Sequence, residues 1–235
     1  MNEHTVKAFD DDLNRLRGLV SDMGSRAILS IQQAMDALSR RDIEAAKTII
    51  EGDKRVDELE NEIEKLVVTT IALRAPMADD LRRMIAALKI ASVLERVGDY
   101  GKGIAKRVAL LADNRAIESL PLLLSMSGLV CELLRDVLAA YAGDDADLAA
   151  DVHRRDKNVD DFYNSIFRAS ITYMMENPRT IGESAHLLFI AKNLERAGDH
   201  ATNIAEMIYY VVTGQHMEER EKGPDPALSG SQAEG

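Results

Sequence analysis

Apolar residues recur along this chain three and four apart, in six stretches separated by proline, glycine and acidic breaks. In the first stretch Leu13, Leu16, Leu19/Val20, Met23 and Ala27 lie on one stripe, which predicts a helix from about Thr5 to Ser39. Asp42 stands where an N-cap belongs, and the second helix is expected to continue from it to about Arg74, where Pro76 stops it. A third runs from near Asp79 to about Asp113. A fourth begins beside Pro121, which the first turn of a helix tolerates, and stops at Gly143. A fifth spans about Asp145 to Met175 and is broken by Asn177-Pro178. The sixth spans about Thr180 to Thr213. No segment sustains the period-two alternation of a strand. From Gln215 onward, through Gly223-Pro224-Asp225-Pro226, the apolar period is lost and a disordered tail is expected.

The six stretches form two sets of three. Leu94-Glu95-Arg96-Val97-Gly98-Asp99 returns as Leu194-Glu195-Arg196-Ala197-Gly198-Asp199, 100 positions on. Asp53-Lys54-Arg55-Val56-Asp57, with Asn61 and Ile63, returns as Asp156-Lys157-Asn158-Val159-Asp160, with Asn164 and Ile166, 103 positions on. The difference in offset leaves the second copy a slightly shorter link before its last helix. The expected fold is all-α: tandem, pseudo-symmetric, antiparallel three-helix bundles of six long helices, over residues 1–115 and 116–214, followed by the tail 215–235. Helices of this length are about 50 Å long at 1.5 Å per residue, so an elongated molecule is expected.

Charge narrows the function classes. A net charge of -11 and a pI near 5.0 exclude a nucleic-acid-coating role, which needs a basic face. The single cysteine, Cys131, allows neither a disulfide nor a thiolate metal site within one chain, which points to a reducing compartment. Met1-Asn2-Glu3-His4-Thr5 carries no signal-peptide pattern, and the nearly apolar run Leu120 to Cys131 is too short to span a bilayer. Any membrane association is therefore expected to be peripheral.

The repeated motifs place acids where helices pack. On the third helix Met84, Leu88, Ala91, Leu94, Gly98 and Ala105 form the apolar sector; Glu95 falls inside it and Asp99 at its edge. On the second, Ile49, Val56, Leu59, Ile63 and Val67 form the sector, with Asp53 and Asp57 at its edge. Each bundle is expected to aim four acids at the seam between its middle and last helices: Asp53, Asp57, Glu95 and Asp99, then Asp156, Asp160, Glu195 and Asp199. Like charges at i and i+4 destabilise a bare helix, and partly buried carboxylates need a proton, a basic side chain or a metal. An oxygen-only ligand set suits hard divalent or trivalent cations such as Mg, Mn, Ca or Fe better than structural Zn. The plainer alternative is that Arg96, Arg196, Lys54 and Lys157 neutralise the acids; the repetition of the pattern favours metal.

Other groups carry less. Glu183-x-x-His186 has the spacing of a carboxylate-bridged di-iron site but no second copy. His200 is rotated about 100° from Asp199, whereas Asn203 lies four after it and has Gly103 as its counterpart. Gly98 and Gly198, each costing about 1 kcal/mol relative to alanine in a helix, point to close packing first and to room beside the acids second. No phosphate-cradling glycine loop or nucleophile with its base is present.

These residues resemble the PhoU family, bacterial regulators of phosphate transport. The (Glu/Asp)-x-x-x-Asp pattern matches at Asp53/Asp57, Glu95/Asp99, Asp156/Asp160 and Glu195/Asp199. Pro76-Met77-Ala78-Asp79-Asp80-Leu81-Arg82 is similar to the family's Pro-x-Ala-x-Asp-Leu-Arg turn, and Leu94–Asp99 and Leu194–His200 to its Leu-Glu-Arg-x-Gly-Asp signature. The likeness covers about residues 5–213, and Asn177-Pro178-Arg179-Thr180 departs from the turn pattern. The resemblance implies a cytoplasmic, non-enzymatic adaptor linking the ATPase subunit of the phosphate ABC transporter to the phosphate-sensing histidine kinase. It also implies repression of the phosphate-starvation response when phosphate is plentiful. It further implies metal clusters (Mg, Mn, Fe or Zn) at the repeated acids, and a homodimer. The competing readings are an oxygen-ligated di-metal enzyme on a helical bundle and a structural spacer.

Overall fold

The computed structural model describes residues 3–112 and 119–218. Among them every regular element is helical, as expected. The first bundle comprises α1 (Glu3–Arg40), α2 (Ile43–Gly52), α3 (Lys54–Arg74) and α4 (Asp79–Leu111). The second comprises α5 (Leu120–Gly143), α6 (Ala146–Arg155), α7 (Lys157–Glu176) and, after a 3-10 turn at Pro178–Thr180, α8 (Ile181–Thr213). The boundary expected near residue 115 and most of the expected tail lie outside the described residues.

The middle rod of each bundle is two helices rather than the one expected. It breaks at Asp53 and at Asp156, whose backbones stay close to helical values (φ -59°, ψ -32° and φ -60°, ψ -26°). The break is in the hydrogen bonding. The Asp53 carbonyl accepts from the Val56 amide at 2.8 Å and from Asp57 only at 3.4 Å, and the Asp156 carbonyl from Val159 at 2.8 Å and from Asp160 at 3.3 Å, so each rod tightens there into a 3-10-type turn. The start of each rod follows the sequence. Asp42 caps α2 by accepting from the Ala45 amide at 2.9 Å, and Asp145 caps α6 by accepting from Leu148 at 2.9 Å. At the other end α3 stops at Ala75, which is left-handed at φ 45° just before Pro76.

The two bundles share one continuous core. Leu16, Met23 and Ile31 of α1 are buried, with Leu59 and Ile63 of α3 and Met84, Ile90 and Leu94 of α4. Leu123, Met126 and Leu134 of α5 join Ile166 of α7 and Ile190, Leu194 and Ile204 of α8. Helix α4 packs against α8 as well as inside its own bundle, and α1 packs against α5. Besides its expected sector α4 buries Ala87, Ile90, Val97, Gly101 and Ile104, whereas Leu88 is only half-buried. A Cβ at Gly101 would lie 2.9 Å from the Ile31 amide nitrogen, so only glycine permits this approach of α4 to α1. Asp144, the left-handed cap of α5, clasps the bundles together by accepting from Arg17 at 2.6 Å and pairing with Arg83 at 3.3 Å.

Candidate functional site

The aspartate at each break lies buried against the last helix of its bundle. Asp53 and Asp156 are 6% and 1% exposed, far below what an aspartate on a helix face retains. The repeated glycines make this possible. A Cβ at Gly198 would lie 2.8 Å from Asp156 Oδ1 and 3.1 Å from Val159 Cγ1. One at Gly98 would lie 3.3 Å from Val56 Cγ1 and 3.5 Å from Asp53 Oδ1. Close packing and room for the acid are therefore the same feature, and in the second repeat the carboxylate is the nearest neighbour.

The two seams differ. In the second, carboxylate oxygens of Asp156, Asp160 and Asp199 come within 4.8 Å of one another, the first buried and the others half-buried. Among the described residues they are the one group of three or more such donors gathered this tightly. Three hard oxygen donors from α8 and the start of α7 fit a Mg²⁺-, Mn²⁺- or iron-type cation. Glu195, one turn earlier on α8, pairs with Lys192 at 3.0 Å, and the Lys192 ammonium lies 4.9 Å from the centre of the Tyr163 ring.

In the first seam the ammonium of Lys102 stands among the acids, 2.6 Å from Asp53 Oδ2 and 3.4 Å from Asp99 Oδ1. Asp57 and Asp99 are exposed and Glu95 half-buried. Burial, then the charge of Asp99 and other nearby acids, pushes the Glu95 carboxyl above its ordinary value. Burial and Asp53 do the same to Asp57. The eight acids named from sequence thus reach two seams, but only Asp156, Asp160 and Asp199 form a compact donor set.

Three participants were missed from sequence. Lys102 and Lys192 each lie three residues from an acid of the motif on the same helix, a spacing that marks an ion pair. Tyr100 meets His200 where α4 packs on α8. The tyrosine hydroxyl and His200 Nε2 share a hydrogen bond of 3.0 Å, with the rings stacked at 5.5 Å, and Asn203 faces the other ring nitrogen at 3.4 Å. His200 is thereby engaged with both Tyr100 and Asn203.

Comparison with known proteins fits this geometry. The family model described as the PhoU domain matches twice, at residues 20–108 and 123–208. Over 222 residues the chain is 50% identical to a Zymomonas mobilis protein named phosphate-specific transport system accessory protein PhoU homolog, with 94% of each covered. It is 39% identical over 218 residues to the Escherichia coli protein of the same accessory name, covering 92% of this chain and 89% of that one. The crystal structure of PhoU from Pseudomonas aeruginosa superposes with a TM-score of 0.85 at 34% identity, over 88% of this chain and all of that one. The doubled signature, the doubled bundle and these near full-length similarities establish that the chain belongs to the PhoU family.

Proposed function

We propose that this protein is an accessory regulator of phosphate uptake that holds the phosphate-starvation response off when phosphate is plentiful. In this reading it is a non-enzymatic adaptor in the cytoplasm, working as a homodimer between the ATPase subunit of the phosphate ABC transporter and the phosphate-sensing histidine kinase. The observation that carries the reading is the similarity along nearly the whole chain to relatives named as accessory proteins of the phosphate-specific transport system. Among the described residues no helix is long and apolar enough to cross a membrane, which accords with attachment through partner proteins.

The acid seams are the metal-binding element in this reading. Asp156, Asp160 and Asp199 are the residues that would hold the ion. A bound cation supplies positive charge that offsets carboxylate repulsion at the seam. The chain's own contribution is to bring the acids together: Asp156 lies buried at the break between α6 and α7, Gly198 leaves space for it, and α8 presents Asp199 beside Asp160. An ion bound only by the folded chain then fixes α7 against α8 and with them the surface offered to partners.

The test is a phosphate-starvation reporter in cells lacking this gene, grown in excess phosphate. The reporter is expected to stay on. A reporter that shuts off normally would contradict the regulatory reading.

A further inference from the structure

We propose that Lys102 is a resident counter-ion that closes the first acid seam to metal, so that the two repeats, alike in fold, differ in what neutralises them. The inference rests on the metal reading above, and it concerns where that reading does not hold. In the first repeat the implied ion does not fit: an ammonium already stands against the buried carboxylate.

The geometry carries the argument. Lys102 is one turn beyond Asp99 on α4, and its Nζ reaches across to Asp53 Oδ2 at 2.6 Å while staying 3.4 Å from Asp99 Oδ1. The Asp53 side chain is only 4% exposed. A carboxylate at that depth needs a partner, and a short charge-assisted hydrogen bond to an ammonium is a strong one. A metal seated on Asp53 and Asp99 would have to displace this lysine. The buried pair would then be broken and a second positive charge left beside the ion. Removing one partner of a buried pair is strongly unfavourable.

The second repeat is built differently at both lysine positions. Thr202 stands where the first repeat has Lys102, and its hydroxyl donates to the Gly198 carbonyl on its own helix at 3.4 Å. Its lysine is instead Lys192, at the other end of the motif, where the first repeat has Ser92. Lys192 is bonded to Glu195, the acid outside the compact trio. Lys102 thus reaches the buried aspartate of the first repeat, and Lys192 reaches the motif glutamate of the second.

The experiment is Mn²⁺ retention per chain, measured by elemental analysis of the full-length protein after chelation, reloading with Mn²⁺ and dialysis. D99N is expected to retain as much Mn²⁺ as the unaltered chain, and D199N to lose most of it. Lys102→Thr, which gives the first seam the second repeat's residue, is expected to raise retention above that of the unaltered chain. The reciprocal change Thr202→Lys is expected to abolish retention, and it tests the idea independently should K102T fail to fold. Equal loss in D99N and D199N, or unchanged retention in folded K102T, would overturn the inference while leaving the metal reading intact. An unaltered chain that retains no Mn²⁺ would overturn the metal reading and the inference together.

Discussion

Tyr100 and His200 stand at the same register of the two repeats and bond to each other, phenol oxygen to Nε2 at 3.0 Å, across the α4–α8 contact. Residues directly after the two Gly-Asp motifs thus meet between the bundles and tie one repeat's acid helix to the other's. Burial, and then the nearby Arg96, lowers the His200 pKa below its ordinary 6.5. The folded state therefore favours the neutral ring. Its contribution to stability is complete above the ordinary value and is lost as pH falls through the lowered one. Melting from pH 7.5 to 5.0 should show a steeper loss in the unaltered protein than in H200N. At pH 7.5, Y100F should cost about 1 kcal/mol, the usual worth of one hydrogen bond. Parallel acid melting curves for the unaltered protein and H200N would refute the assignment.

The motif glycines should respond unequally to alanine. At Gly198 the added methyl meets the Asp156 carboxylate at 2.8 Å, a contact that forces a buried acid to move. G198A is expected to destabilise by about 1–3 kcal/mol, the usual cost of overpacking. At Gly98 the nearest atom is a Val56 methyl at 3.3 Å. There the gain of about 1 kcal/mol in helix propensity offsets much of the crowding, so G98A should lie near neutral. Urea denaturation of both variants decides the point, and equal losses would contradict it.

Much of this architecture is legible in the sequence, for reasons that particular residues make clear. Asp42 and Asp145 announce helix starts because capping is local chemistry, and Pro76 and Asn177-Pro178 announce stops because proline cannot continue a helix. The breaks at Asp53 and Asp156 escape notice because the backbone there remains near-helical and the apolar period runs on through Val56, Leu59 and Ile63. The eight acids are visible from their spacing, but the unequal seams are not. Lys102 touches Asp53, 49 positions away, and that contact exists only once α4 lies along the α2–α3 break. Its i+3 relation to Asp99 was the one local hint. The Tyr100–His200 bond depends wholly on how α4 meets α8.

Metal should reverse the stability order of the second-seam variants. Without metal, D199N removes a charge from a cluster of three acids and is expected to melt at or above the unaltered protein. With Mn²⁺ present, the unaltered protein gains stability by binding, and D199N gains little. Thermal melts with EDTA and with Mn²⁺ would show the crossing. A D199N curve that rises with Mn²⁺ as far as that of the unaltered chain would contradict the role of Asp199 as a ligand.

Cys131 is 1% exposed, and burial pushes its thiol up to about 11 from an ordinary 9.0. The native protein should therefore resist thiol reagents at pH 8 and react fully once unfolded. Because the folded value is the higher one, the thiol's contribution to stability is complete below about 9 and is lost as pH rises to about 11. C131A should lose less stability than the unaltered protein across that alkaline range. Rapid native labelling at pH 8 would show the helix packing around α5 to be looser than described.

The link from the second acid seam to regulation is tested most directly by complementation. Cells lacking this gene and carrying a phosphate-starvation reporter would be given either the unaltered gene or D160N/D199N and grown in excess phosphate, with protein levels matched by immunoblot. The unaltered gene should silence the reporter, and the double variant should leave it on. A double variant that silences the reporter as fully as the unaltered gene would show that these carboxylates are not what the regulation depends on.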